Sequence, residues 1–82
     1  MYRGIAGDMN NILEVGYYSS VSNITTNYPD KAYTHGVLEV FGGGNFIAQR
    51  YTPHANYSGN FGEYTRIRYD DKWGSWRFIP YQ

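Results

Sequence analysis

The sequence predicts an α+β fold: one small antiparallel β-sheet of about four strands built on a central β-hairpin, with one short N-terminal helix. Three observations carry this. In Gly36 to Thr52, GVLEVFGGGNFIAQRYT, two β-favouring runs flank Gly42, Gly43, Gly44 and Asn45, residues that tolerate the positive φ of a tight reversal. Gly62 to Asp70, GEYTRIRYD, alternates in the same manner and is suited to pair with the hairpin as a third strand. Near the start, Asp8 is a good N-cap, and Met9, Ile12 and Leu13 are spaced for one apolar stripe on a helix over Met9 to Glu14, ended by Gly16.

Taken in order, residues 1–7, MYRGIAG, show no period and are expected to lead in, extended, from a longer chain. Residues 8–82 form the domain proper. Gly16 to Ser20, GYYSS, has strand composition. Val21 to Thr34 is a long loop in which Tyr28-Pro29-Asp30-Lys31 places proline where a turn prefers it. In the hairpin, setting Phe41 opposite Phe46 puts Val40 opposite Ile47 and Leu38 opposite Gln49. Leu38, Val40, Ile47 and Tyr51 then share one face, and Val37, Glu39, Phe41, Phe46, Ala48 and Arg50 the other. Pro53 to Asn60 is a second loop. In the third strand Tyr64, Arg66 and Arg68 face one way while Thr65, Ile67 and Tyr69 face the other. Asp70-Asp71-Lys72 makes a turn, and Trp73 to Ile79, WGSWRFI, is expected to close the sheet as one short strand.

Eighty-two residues make a single domain that buries only about 60 to 65% of its unfolded surface, so association would add stability. The absence of cysteine removes disulfides and thiolate metal sites. Seven Lys plus Arg balance seven Asp plus Glu, which argues against a nucleic-acid partner held through its phosphates. No run approaches the ~18 apolar residues that span a bilayer, so membrane insertion is not expected. Nor does a basic start followed by an apolar stretch suggest a signal peptide, so action outside a cell would follow cytoplasmic assembly and release. Aromatic residues reach 20%, with ten tyrosines, a surplus suited to surfaces that touch something.

Catalytic chemistry finds little support. His35 and His54 flank the two hairpin strands at one sheet end and supply at most two of the ligands a zinc site needs, with no HExxH spacing. Glycan hydrolysis needs two acids ~5 to 9.5 Å apart. Among Glu39, Glu63, Asp70 and Asp71, the last two read as turn chemistry, and Glu39 reads as the cross-strand partner of Arg50. The glycines at 42–44 join two strands and open no helix, so they do not form a phosphate cradle. The chain is expected to be no enzyme and to need no cofactor or metal.

DMNNILEVGYY near the start, HGVLEVFGGGNFIAQRYT in the middle and GEYTRIRYDDKWGSWRFI at the end together show a family pattern. The residues are Asn10 and Asn11; Gly16, Tyr17 and Tyr18; Gly36, Leu38 and Val40; Gln49 and Tyr51; Arg66 and Arg68; and Trp73, Trp76 and Arg77. Over residues 8 to 79 this resembles the C-terminal knob domain of R-type pyocin tail fibres and many bacteriophage tail fibres. The resemblance implies a small α+β receptor-binding module at the tip of a virion tail fibre or baseplate. It implies a homotrimer joined to a parent fibre chain, contributing to host cell attachment. Departures from the family pattern fall in the loops, the parts expected to decide what is bound.

Candidate glycan-binding residues follow. Arg50, Arg66 and Arg68 can form a basic patch for teichoic acid, lipopolysaccharide phosphate or capsular uronates, because guanidinium pairs bidentately with phosphate and carboxylate. The same arginines can instead pair with Glu39, Glu63 or a neighbouring subunit. Trp73, with the loop tyrosines Tyr28, Tyr33 and Tyr57, can stack on sugar C–H faces. Trp76 is expected to pack and Trp73 to stay more open, since i and i+3 on a strand point to opposite sides. Asn27, Asn56 and Asn60 would fix orientation by hydrogen bonds. The alternative function is a structural trimerisation or capping module that touches no receptor; where the surplus aromatics go separates the two.

Overall fold

In the computed structural model, which describes residues 1–55 and 61–81, the central hairpin forms β3 (Gly36–Gly43) and β4 (Phe46–Pro53). It turns more tightly than the glycine run suggested. Gly43 pairs with Phe46 and Leu38 with Tyr51, so only Gly44 and Asn45 lie in the turn and the pairing is offset by two residues from the expected one. Gly44 adopts φ +61°, as the first position of a type II′ hairpin turn requires. Gly42 adopts φ +113° inside the strand, where a Cβ would strike the Phe46 carbonyl oxygen. Because the offset is even, both faces keep the residues assigned to them.

Around the hairpin the sheet runs β1 (Tyr2–Ile5), β2 (Gly16–Ser20), β3, β4, β5 (Gly62–Tyr69) and β6 (Lys72–Trp73), with β7 (Arg77–Pro80) also paired to β5. All pairings are antiparallel except β1 with β2. Residues 2–5, expected only as a lead-in, thus form a sheet edge. Asp70 and Asp71, both at positive φ, make the two-residue turn between β5 and β6.

The fold is therefore one seven-stranded sheet and not α+β. In place of the expected helix stands one 3-10 turn, Met9–Asn11, capped by the Asp8 carboxylate, which accepts from the Asn10 amide at 2.9 Å. The physical reason is competition for the turn's carbonyls. Gln49 of β4 donates from Nε2 to the Met9 oxygen at 2.8 Å and to the Ile12 oxygen at 3.0 Å, and Ile12 is already extended. Asn10 and Asn11, poor helix formers, do little to propagate a helix against that pull.

A second correction concerns the closing strand. Arg68 pairs with Trp73 and Thr65 with Arg77, so two residues of β5 (Arg66, Ile67) oppose three (Gly74, Ser75, Trp76). That extra residue is a bulge, and it splits one expected strand into β6 and β7. The bulge also resets the alternation, so Trp73 and Trp76 come to the same side of the sheet.

One face of the sheet is covered. Tyr18, Leu38, Val40, Ile47, Gln49 and Tyr51 are buried there beneath Ala6, Met9, Pro29 and Ala32, which belong to the 3-10 segment and the Val21–Thr34 loop. The loop is tied down by Thr25, whose hydroxyl donates to the Ala6 oxygen at 2.6 Å, and by Ser20, which donates to the Thr34 oxygen at 2.5 Å. The opposite face has no covering layer among the described residues. Tyr17, Val37, Phe41, Phe46, Ile67 and Tyr69 are exposed on it.

Candidate functional site

The covered face holds an unusual arrangement at its β5 edge. Arg66 is 6% exposed, and its guanidinium lies between two indoles, 4.1 Å from the Trp73 ring centroid and 4.3 Å from that of Trp76. This double cation–π contact depends on the bulge, which brings both rings to the same guanidinium. Arg66 Nε donates to Gln49 Oε1 at 2.9 Å, so Gln49 uses both ends of its amide, one on the 3-10 segment and one on Arg66. Trp73 Nε1 donates to the Asn10 oxygen at 3.0 Å. Among the described residues no carboxylate reaches ion-pair distance of Arg66, and its buried Nη2 has no acceptor. Burial lowers the Arg66 pKa to about 10, with the Asp8 charge opposing the shift. The group remains a cation at neutral pH.

Beside Arg66 opens a hollow of about 430 Å³ bounded by Trp76, Tyr64, Phe78, Pro29, Asp30 and the Gly74–Ser75 bulge. Tyr64 and Phe78 lie ring to ring at 5.0 Å, giving it an aromatic wall. Asp30 also lines a second, larger hollow of about 730 Å³ formed by the Val21–Thr34 loop. That one is lined by the hydroxyl side chains of Ser22, Thr26 and Thr34, the amides of Asn23 and Asn27, and Tyr28. Asn23, Asn27 and Lys31 hold positive φ there, with Asn27 tied by its Nδ2 to Asp8 Oδ1 at 2.7 Å. Asn27 and Asn10 together hold the Asp8 carboxyl below its ordinary pKa.

The predicted site residues are thus distributed. Arg66 and Trp73 meet, and Tyr28 lies in the neighbouring loop hollow, half-buried against the core. Trp73 and Trp76 are both half-buried, where one packed and one open ring were expected. Arg50 lies on the opposite face, bidentate to Glu39 at 3.0 and 3.1 Å, 3.5 Å from Glu63 and over the Phe41 ring. Its pKa is raised by that hydrogen-bonded pairing with Glu39. Arg68 reaches Asp71 at 3.3 Å across the β5–β6 turn. The three arginines therefore form no common patch. Tyr33 sits at the far sheet end in a ring cluster with His35 and His54, whose centroids are 6.1 Å apart. Among the described residues no group of three or more His, Asp or Glu is placed to hold a metal. Tyr57, Asn56 and Asn60 lie outside the described residues.

Sequence reasoning missed Gln49, Tyr64, Phe78 and Asp30. A signal for Gln49 was present: it is the one polar residue in an otherwise apolar inner row of the hairpin, where a buried amide must find partners. The Tyr64–Phe78 wall depends on a strand register that the bulge sets.

A single-sheet β module with hollows on its covered face and an apolar opposite face is the class that fold and site define. Among solved structures it is similar to the C-terminal fragment of the P. aeruginosa R2 pyocin fibre, with a TM-score of 0.69 and 25% sequence identity. The match covers 95% of this chain and 21% of that one, so this chain corresponds to about a fifth of the fibre fragment. No protein-family model matches the chain, and no curated protein does. The likeness supports a tail-fibre-like module.

Proposed function

We propose that this chain is a receptor-binding module of a phage or phage-like tail fibre, which attaches to host surface polysaccharide without cleaving it. The observation that carries this reading is the pair of hollows meeting at Asp30, one lined by hydroxyls and amides, the other by aromatic rings around a cation. Hydroxyl and amide groups match the equatorial and axial hydroxyls of a sugar, and aromatic walls match its C–H faces. Single contacts of this kind are weak, and several copies on one fibre raise the effective strength by avidity. The module would act at the virion tail, outside the host cell.

The uncovered face favours a second role alongside it. Phe41, Phe46, Ile67 and Tyr69 are all exposed there, and sister copies in a homotrimer, or the parent fibre chain, would cover them. Were that face the whole function, the module would be a trimerisation cap with no receptor contact.

The test is adhesion of the chain to bacterial cells and to immobilised surface polysaccharides, comparing wild type with Asp30→Trp, which fills the mouths of both hollows. Arg50→Ala, on the opposite face, is the control. The expected result is binding by wild type and control and its loss in Asp30→Trp. Undiminished binding by a folded Asp30→Trp variant would remove the proposed site, and no adhesion by any form would favour the cap.

A further inference from the structure

Arg66 is a buried cation whose surroundings are incomplete. Its two flat sides are occupied by indole rings, and its Nε edge is taken by Gln49. Of the two amino groups left, Nη2 is enclosed without an acceptor, and Nη1 makes no hydrogen bond among the described residues. A buried donor on a charged group that lacks an acceptor is costly, more so than a neutral one. A purely structural role would be served by an apolar side chain between two indoles, or by a carboxylate partner, and the sequence supplies neither. The residue also lines the 430 Å³ hollow, whose volume lies in the ~300–1,000 Å³ range of small-ligand sites.

Resting on the polysaccharide reading above, we propose that this hollow is the subsite for an acidic sugar residue, one carrying a carboxylate or a phosphate that accepts from Arg66. The sandwich fixes the guanidinium plane, so an oxyanion must approach in that plane, along the Nη1–Nη2 edge that Gln49 leaves free and on which Nη1 is not enclosed, the geometry in which guanidinium recognises oxyanions best. Trp76, Tyr64 and Phe78 then face the sugar ring. Asp30 at the rim repels a second negative charge, so the subsite takes one anionic group and no more. The neighbouring hydroxyl-lined loop hollow receives the next, neutral residue of the chain.

The test is an NMR titration of the isotope-labelled chain, following the Trp76 indole and Arg66 Nε–H signals. The probes are methyl glucuronide, glucose 6-phosphate and the neutral methyl glucoside, with Asp30→Asn as the companion variant because Asp30 is exposed and its side chain forms no hydrogen bond or ion pair among the described residues. The expected result is saturable shifts with at least one acidic probe and at least tenfold weaker binding of the neutral glucoside. Glucuronide preferred over the phosphate identifies a uronate, the reverse a sugar phosphate. Asp30→Asn should tighten the acidic probe several-fold, a larger change than it makes to the neutral glucoside. Equal binding of neutral and acidic probes, or no gain in Asp30→Asn, overturns the acidic subsite while leaving a glycan-binding module in place. Signals of both hollows unmoved by every probe would overturn the subsite and the polysaccharide reading together.

Discussion

Gln49 should be the single most consequential polar side chain in the domain. It is fully buried and makes three hydrogen bonds, two to carbonyls of the 3-10 segment and one from the Arg66 guanidinium. Gln49→Met keeps the volume and removes all three. Two neutral bonds at about 1 kcal/mol each and one to a charged group at about 2 kcal/mol give a loss of roughly 4 kcal/mol. A domain of this length has about 4 to 12 kcal/mol in total, so the variant should be marginal at best. In urea unfolding followed by tryptophan fluorescence at fixed protein concentration, with m about 1 kcal/mol/M, the midpoint should fall by roughly 3 to 4 M. Gln49→Glu should fall between, since a carboxylate still pairs with Arg66 but repels the two carbonyls. A Gln49→Met midpoint within about 1 M of wild type would show that the amide does not lock the segment to the sheet, and the explanation for the missing helix would go with it.

Other expectations follow from the same structure. Asp8 has a lowered pKa when folded, so its contribution is complete above the unfolded value of 3.8 and is lost as pH falls through the folded one. Asp8→Asn should therefore flatten the acid limb of a stability–pH curve below about pH 4, measured by thermal unfolding across pH. Gly42→Ala forces a Cβ at φ +113° against the Phe46 carbonyl and should cost about 1 to 3 kcal/mol by urea denaturation. If sister copies cover the uncovered face as proposed, wild type should self-associate in sedimentation equilibrium and Ile67→Lys should be a folded monomer. Retained trimers would place the interface elsewhere.

Much of this organisation was legible because it rests on alternation. The hairpin, the third strand and the two faces follow from a period of two, and even an error of two residues in the turn left every side chain on its proper face. β2 was legible from Gly-Tyr-Tyr, whereas β1 was not. What was not legible depended on competition or on one inserted residue. Met9, Ile12 and Leu13 do have helical spacing, yet a glutamine 40 positions from Met9 claims the carbonyl that the helix would have used. Trp73 and Trp76 would diverge on an unbroken strand; a bulge invisible in composition turns both onto Arg66. The three arginines looked alike in sequence and separate in space, because Arg50 belongs to the other face and Arg68 is drawn to Asp71 in the β5–β6 turn. The long Val21–Thr34 loop, legible as a loop, is pinned to the core and forms a hollow, neither of which its composition shows.

The most direct measurement is NMR mapping of the labelled chain against surface-polysaccharide fragments from a panel of bacteria. Shifts concentrated at Trp76, Tyr64, Asp30 and Lys31, with Phe41 and Ile67 unmoved, are the predicted outcome. Largest shifts on the Phe41–Ile67 face, or none anywhere at saturating glycan, would contradict a sugar-binding role for the Arg66 side of the sheet.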